Sequence, residues 1–352
     1  MKFLTSFLLL LVFIIVISAG FFGVFPSTET FKGSQGNLLP GSLAVLETIE
    51  LGGLEQAILI RGKDLKNPVL LWLHGGPGSA QMPLAHELDA ELEEEFIVVH
   101  WDQRGAGKSN HGGFWEETMT FEQFLEDSLQ LINYLRRRFS QEKIFLLGHS
   151  WGSQLGMELV NAYPELFQAY IGVSQLVNSR EGVEIAYEWL IAKLEEKGDQ
   201  KYRERLDEIG SPPYNHNQYR IFASMVSSYG GNFDRSMSSL VLIALRAQEY
   251  NVLDYYRWIQ GANRGGKPLH REGEMTVVNF REEIPSVEVP VFFFAGALDK
   301  NTPLELVEEY YGILKAPHKE IIFFENSAHT PFLAEPERFN REIIKIKEKT
   351  GF

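Results

Sequence analysis

Three short apolar runs, at residues 69–73, 96–101 and 144–147, constrain this chain more than any other feature. Each is continuous rather than alternating, which suits strands covered on both faces, as in parallel sheets. Between the second and third, Phe121, Phe124, Leu125, Leu129, Ile132 and Leu135 recur at helical spacing, behind a Thr120/Gln123 capping box. Later runs at 291–294 and 321–324 read as further strands. A helix opened by Thr302, Pro303 and Glu305 separates them, and another helix follows from Pro336 to about Lys347. Residues 43–51 and 56–61 read as a hairpin joined through Gly52-Gly53. Alternating strands and helices predict an α/β fold, with a mostly parallel central sheet and helices on both faces.

Two stretches depart from that alternation. Residues 178–284 contain no clear buried strand, but charged helical stretches and many aromatics, and read as a helical insertion at one end of the sheet. At the other extreme, Phe3 to Phe25 holds no charged residue. A helix of that length reaches across a hydrocarbon core, and Lys2, the only charge before it, favours a cytoplasmic start. Residues 1–25 are therefore expected to be a transmembrane anchor, with the rest of the chain outside the cytoplasm. The competing reading is a cleaved signal peptide with Ser18, Ala19 and Gly20 near the cut, and a secreted product. Residues 26–42 read as a linker, and 43–177 with 285–352 as the α/β core.

The densest chemical signal is Gly148-His149-Ser150-Trp151-Gly152. An apolar strand leads in and a helical pattern leads out. Such a turn exposes the serine hydroxyl, and only glycines on either side let neighbouring backbone pass closely. A serine hydroxyl needs a base at neutral pH. His329 follows the last predicted strand, where parallel sheets assemble their sites. An imidazole needs an acceptor on its other nitrogen, and Asp299 follows the preceding strand. Ser150, Asp299 and His329 are thus the expected catalytic residues.

His74-Gly75-Gly76-Pro77-Gly78 follows the 69–73 strand, and its glycines allow backbone amides to converge on an oxyanion. The amides of Gly76 and Trp151 are the expected donors, with His74 and Gly75 supporting the loop. Residues 102–110, DQRGAGKSN, resemble a phosphate loop only superficially. Asp stands at 102 where that motif needs Gly, so Asp102 and Arg104 are read as braces for the site loops.

Taken in order, HGGPG, DQRGAGKS and GHSWGS resemble the proline iminopeptidase branch of the α/β-hydrolase fold, over roughly residues 43–350. The resemblance implies an acyl-enzyme mechanism on Ser150, His329 and Asp299, and a helical cap at 178–284. It also implies an acid after a Trp-x-x-Trp element for the substrate amine. Here the nearest match, Tyr255-Tyr256-Arg257-Trp258-Ile259, has none. Glu181, Glu184 and Glu188 are candidate substitutes, and Trp258 a candidate substrate contact. The aromatics Tyr214, Tyr219, Tyr229, Tyr255, Tyr256 and Trp258 fit either a pocket lining or a cap core.

The expected function is a serine hydrolase, of the iminopeptidase type or else a membrane-associated esterase or lipid hydrolase. A non-catalytic binder on the same scaffold is the alternative from another class. The expected partner is a small molecule or short peptide. A net charge of −14 speaks against a nucleic-acid partner, and the absence of cysteine excludes thiol nucleophiles and thiolate metal sites. No metal or cofactor is expected.

Overall fold

A computed structural model describes residues 26–111, 117–269 and 277–351. Eight strands form one sheet in the order β1-β2-β4-β3-β5-β6-β7-β8. They are β1 (Leu43–Leu51), β2 (Leu54–Gly62), β3 (Val69–Leu73), β4 (Ile97–Trp101), β5 (Ile144–His149), β6 (Phe167–Val173), β7 (Val291–Gly296) and β8 (Lys319–Phe324). β1 and β2 are antiparallel and close through Gly52 and Gly53, both at positive φ, the conformation a two-residue hairpin demands. β2 meets β4 antiparallel, and every pairing from β4 to β8 is parallel. The continuous apolar runs are the buried strands: every residue of β3, β4, β5 and β7 is buried.

β6 was not expected from the sequence. Its run FQAYIGV is broken by Gln168 and Gly172, which disguise a strand lying between β5 and β7. A Cβ at Gly172 would meet Gln175 Oε1 at 2.3 Å and the Phe293 ring at 3.1 Å, so a larger residue there would displace the Gln175 side chain.

Helices cover both faces. α1 (Phe121–Phe139) and α2 (Trp151–Ala162) pack among the core residues with α8 (Leu304–Ile313), while α9 (Pro336–Lys349) covers the other face through Phe339, Ile343 and Ile346. Only half of the α1 capping box forms. Thr120 Oγ1 accepts from Gln123 N–H at 3.2 Å, but the Gln123 side chain turns to Asp127 instead.

Between β6 and β7 lie α3 (Ser179–Lys197), α4 (Gln200–Ile209), α5 (His216–Ser228), α6 (Met237–Ala244) and α7 (Val252–Arg264). The first three bury a cluster of their own around Leu190, Leu194, Leu206, Phe222 and Met225. α6 and the Tyr250–Tyr255 region pack instead onto the main core. The segment therefore holds one self-contained part and one part fused to the sheet domain.

The expectation of a membrane-anchored or exported enzyme is corrected here. Among the described residues no helix is long and apolar enough to cross a membrane. The apolar run of residues 3–25, on which that expectation rested, lies outside the described residues.

Candidate active site

The turn from β5 into α2 holds Ser150 at φ 54°, ψ −117°, a conformation that few non-glycine residues adopt and that costs about 1–3 kcal/mol. The neighbouring glycines show why it persists. A Cβ on Gly148 would lie 2.3 Å from the Gly152 carbonyl oxygen, and one on Gly152 would lie 2.1 Å from that of Leu73. The elbow is thus packed backbone to backbone against β3, and the Ser150 N–H donates to the Val173 carbonyl at 3.0 Å. The side chain is left half-buried at the carboxyl end of the sheet.

Asp299 and His329 occupy the loops after β7 and β8. His329 Nδ1 donates to Asp299 Oδ2 at 2.8 Å, and both side chains are almost wholly buried. Asp299 Oδ1 accepts from the N–H groups of Asn301 (2.7 Å) and Thr302 (3.0 Å), and Oδ2 accepts from Thr302 Oγ1 at 2.7 Å. Burial alone would raise the carboxyl pKa. The His329 ring and the Thr302 donors outweigh it and hold Asp299 below the ordinary carboxylate value. Thr302, expected to open a helix, instead serves this carboxylate, and Pro303 precedes α8.

The His329 loop is held from outside as well. Asp234, on the stretch between α5 and α6, accepts from Ala328 N (2.6 Å), Thr330 N (2.9 Å), Thr330 Oγ1 (2.8 Å) and Ser327 Oγ (3.0 Å). The same stretch accepts the N–H of His329 on Asn232 O and that of Lys300 on Gly231 O. The loops after β7 and β8 are therefore both tied to one short stretch of the insertion. His149, beside Ser150, is buried and hydrogen-bonds the His329 carbonyl through Nε2 at 2.9 Å. Its burial, with His329 close by, depresses its pKa to about 3, which keeps it neutral.

Gly76 sits at φ +118°, where a Cβ would lie 2.6 Å from Gly78 N. Its amide and that of Trp151 donate to no acceptor among the described residues. A Gly75 Cβ would fall 3.2 Å from the Ser150 Cβ, so this loop lies directly against the elbow. His74 is buried, its pKa lowered to about 4 by burial. Its Nδ1 donates to Gly75 O at 2.8 Å, and its Nε2 accepts the Gln103 N–H at 3.1 Å. Gln103 also donates to His74 O and accepts from Trp151 Nε1, joining three loops, a role the sequence did not disclose.

Asp102 and Arg104 point to different neighbours. Asp102 Oδ2 accepts from Lys108 N at 2.7 Å and from the Tyr250 hydroxyl, and burial raises its pKa to about 6. Lys108 reaches Asp254 Oδ2 at 2.5 Å, which ties this loop to α7. Arg104 forms a fully buried fork to Asp127 on α1, with further bonds to Thr118 and Gly52 O.

The expected substrate contacts separate. Glu181 is engaged by Arg281 and by Asn178 Nδ2. Trp258 Nε1 donates to Ala80 O at 2.8 Å. Glu184 borders a cavity of about 360 Å³ under α3, lined also by Val183, Pro213, Tyr214, Tyr219 and Asn301. Of the other aromatics, Tyr229 bonds Asp199, Tyr255 is buried against the Ala244 carbonyl, and Tyr256 is exposed. Among the described residues no group of His, Asp and Glu is arranged to hold a metal ion.

Comparison with known proteins bears on the family and the fold. Residues 68–336 match the family described as alpha/beta hydrolase fold. The chain is 36% identical over 308 residues to "Probable aminopeptidase YbaC" of Bacillus subtilis, covering 86% of this chain and 96% of that one. It is 26% identical to a proline iminopeptidase of Clostridium botulinum, covering 81% of this chain and 90% of that one. The crystal structure of the Mycobacterium smegmatis proline iminopeptidase superposes with a TM-score of 0.64 at 20% identity, over 87% of this chain and 98% of that one, which speaks to the fold. This chain is therefore a hydrolase that belongs to the α/β-hydrolase family, in its proline iminopeptidase-like branch.

Proposed function

We propose that the chain is a serine hydrolase that cleaves an amide bond through an acyl-enzyme, acting as an aminopeptidase of the proline iminopeptidase type on short peptides. The observation that carries this reading is the buried Asp299–His329 pair at the sheet end that also presents Ser150 on its strained turn. Ser150 Oγ attacks the substrate carbonyl carbon while His329 Nε2 takes the hydroxyl proton. Asp299 keeps the other ring nitrogen protonated and stabilises the imidazolium that forms. The unspent amides of Gly76 and Trp151 stabilise the oxyanion, each worth about 2.7–4 kcal/mol in such sites. His329 then passes its proton to the departing amine, and water repeats the cycle on the acyl-enzyme. His74 and Gly75 hold the amide-bearing loop, Asp102 links it to the insertion, and Arg104 braces the hairpin behind it.

The helices from α3 to α7 form the cap, and its cavity takes the amino-terminal residue of the substrate. Glu184 is the carboxylate placed to meet a substrate amine, since Glu181 is already paired with Arg281. A second reading, an esterase, draws on the apolar lining contributed by Val183, Pro212, Pro213 and Leu306. A panel of aminoacyl-naphthylamides and p-nitrophenyl esters separates the two. The expected result is turnover of free-amine substrates, with loss on N-acylation and in Glu184→Gln. Ester turnover unaffected by Glu184→Gln, with no naphthylamide cleaved, favours the esterase.

A further inference from the structure

The carboxylate on Nδ1 leaves the lone pair of the His329 ring on Nε2. That lone pair is occupied. Asn301 Nδ2 donates to it at 3.0 Å, whereas the Ser150 hydroxyl makes no hydrogen bond among the described residues. The other end of the Asn301 amide, Oδ1, accepts from the Tyr219 hydroxyl on α5 at 2.9 Å. Both bonds agree on one orientation of the amide, because a ring nitrogen carrying a lone pair needs a donor. Asn301 and Tyr219 also line the cavity beside Glu184. A single side chain thus joins the acid–base pair, the insertion and the cavity.

We propose that Asn301 is a gating residue. It keeps His329 Nε2 occupied until a hydrogen-bond acceptor entering the cavity, such as a substrate carbonyl, draws its amide away. This rests on the assignment of Ser150 and His329 as nucleophile and base. The Asn301 backbone N–H stays bound to Asp299 Oδ1, so only side-chain rotation is needed, with the loop in place. Once Nε2 is free, the Ser150 O–H bond breaks as the Oγ–carbon bond forms, and the proton moves to that nitrogen. Tyr219 sets how firmly the gate is held, because its hydroxyl fixes the far end of the amide. The insertion therefore acts on the imidazole directly as well as covering the site.

The test is the rate of covalent labelling by a small alkyl fluorophosphonate, which reacts with the serine without filling the cavity. Wild type, Asn301→Ala, Tyr219→Phe and Ser150→Ala are compared on the full chain, with thermal melting as a fold check. Removing one competing hydrogen bond raises the rate in Asn301→Ala by roughly 2- to 12-fold, and in Tyr219→Phe by less. An Asn301→Ala protein that melts like wild type and labels no faster overturns the gate. If Asn301→Ala fails to fold, Tyr219→Phe, which removes only a hydroxyl, decides alone: faster labelling supports the gate and unchanged or slower labelling overturns it. A Ser150→Ala protein that still labels overturns the nucleophile assignment instead. A structural role for Asn301 would slow labelling, so an increase is the distinguishing sign.

Discussion

The loops at the carboxyl end of the sheet and the helical insertion above them are held by different physics. In the loops, specific hydrogen bonds fix the key side chains. Asp299 alone accepts from His329, Asn301 and Thr302, and the glycines of the elbow exclude any Cβ. In the insertion, α3 to α5 are held by apolar packing around Leu190 and Phe222, which many sequences satisfy. The two regions meet through a few specific bonds: Asp234 to the His329 loop, Tyr250 to Asp102, Lys108 to Asp254 and Tyr219 to Asn301. Chemistry thus constrains residue identity in one region, and shape constrains it in the other. The motifs that carry the family resemblance, HGGPG, DQRGAGKS and GHSWGS, lie in the first region, while Tyr255-Tyr256-Arg257-Trp258-Ile259, which lacks the expected acid, lies in the second.

The largest expected effect breaks the loop side of this contrast. Ser150→Ala and His329→Ala each remove nearly all turnover, leaving about 10³–10⁴-fold over water from oxyanion binding, with an unchanged melting curve. Steady-state kinetics beside thermal unfolding check this. Asp299→Asn retains the loop but presents the wrong ring tautomer, and kcat falls on the order of 10⁴-fold.

Core substitutions sharpen the contrast. Gly152→Ala forces a methyl to within 2.1 Å of the Leu73 carbonyl oxygen, so sheet and elbow both give way. Leu190→Ala empties the insertion's own cluster at about 2–5 kcal/mol. Urea unfolding followed by hydrogen exchange is expected to show protection lost first in α3 to α5 for Leu190→Ala, and across the sheet for Gly152→Ala.

The smallest expected effect concerns the joint between the regions. Asp102 has a folded-state pKa of about 6, above its ordinary 3.8, so the folded chain holds that proton more tightly than the unfolded one. The carboxyl therefore favours folding most below about pH 4, and this contribution is lost as pH rises toward 6. Asp102→Asn is expected to flatten that part of the stability profile by about 1–3 kcal/mol, read from urea midpoints between pH 4 and 7.

What could be read from the sequence follows the same division. The buried strands, the Gly52-Gly53 turn and the elbow announce themselves locally, because steric rules act between near neighbours. β6 was hidden because Gln168 and Gly172 interrupt its apolar run, although its place between β5 and β7 buries it fully at Tyr170 and Ile171. Gln103, Asp234 and Asn301 had no local signature. Their partners lie 29, 94 and 82 positions away, at His74, Ala328 and Tyr219, so their roles exist only in the folded chain. The pairing of Glu181 with Arg281, at a separation of 100 residues, was hidden in the same way. Asn301 is the instructive case: it stands two residues after Asp299, yet nothing in that spacing reveals its contact with the ring.

The central claim, a nucleophilic serine on the strained turn, is tested most directly by mapping the fluorophosphonate adduct by mass spectrometry of proteolytic peptides. The expected result is a single adduct on Ser150 that is absent from Ser150→Ala. An adduct on any other residue, or an equal yield from the Ser150→Ala protein, would contradict it.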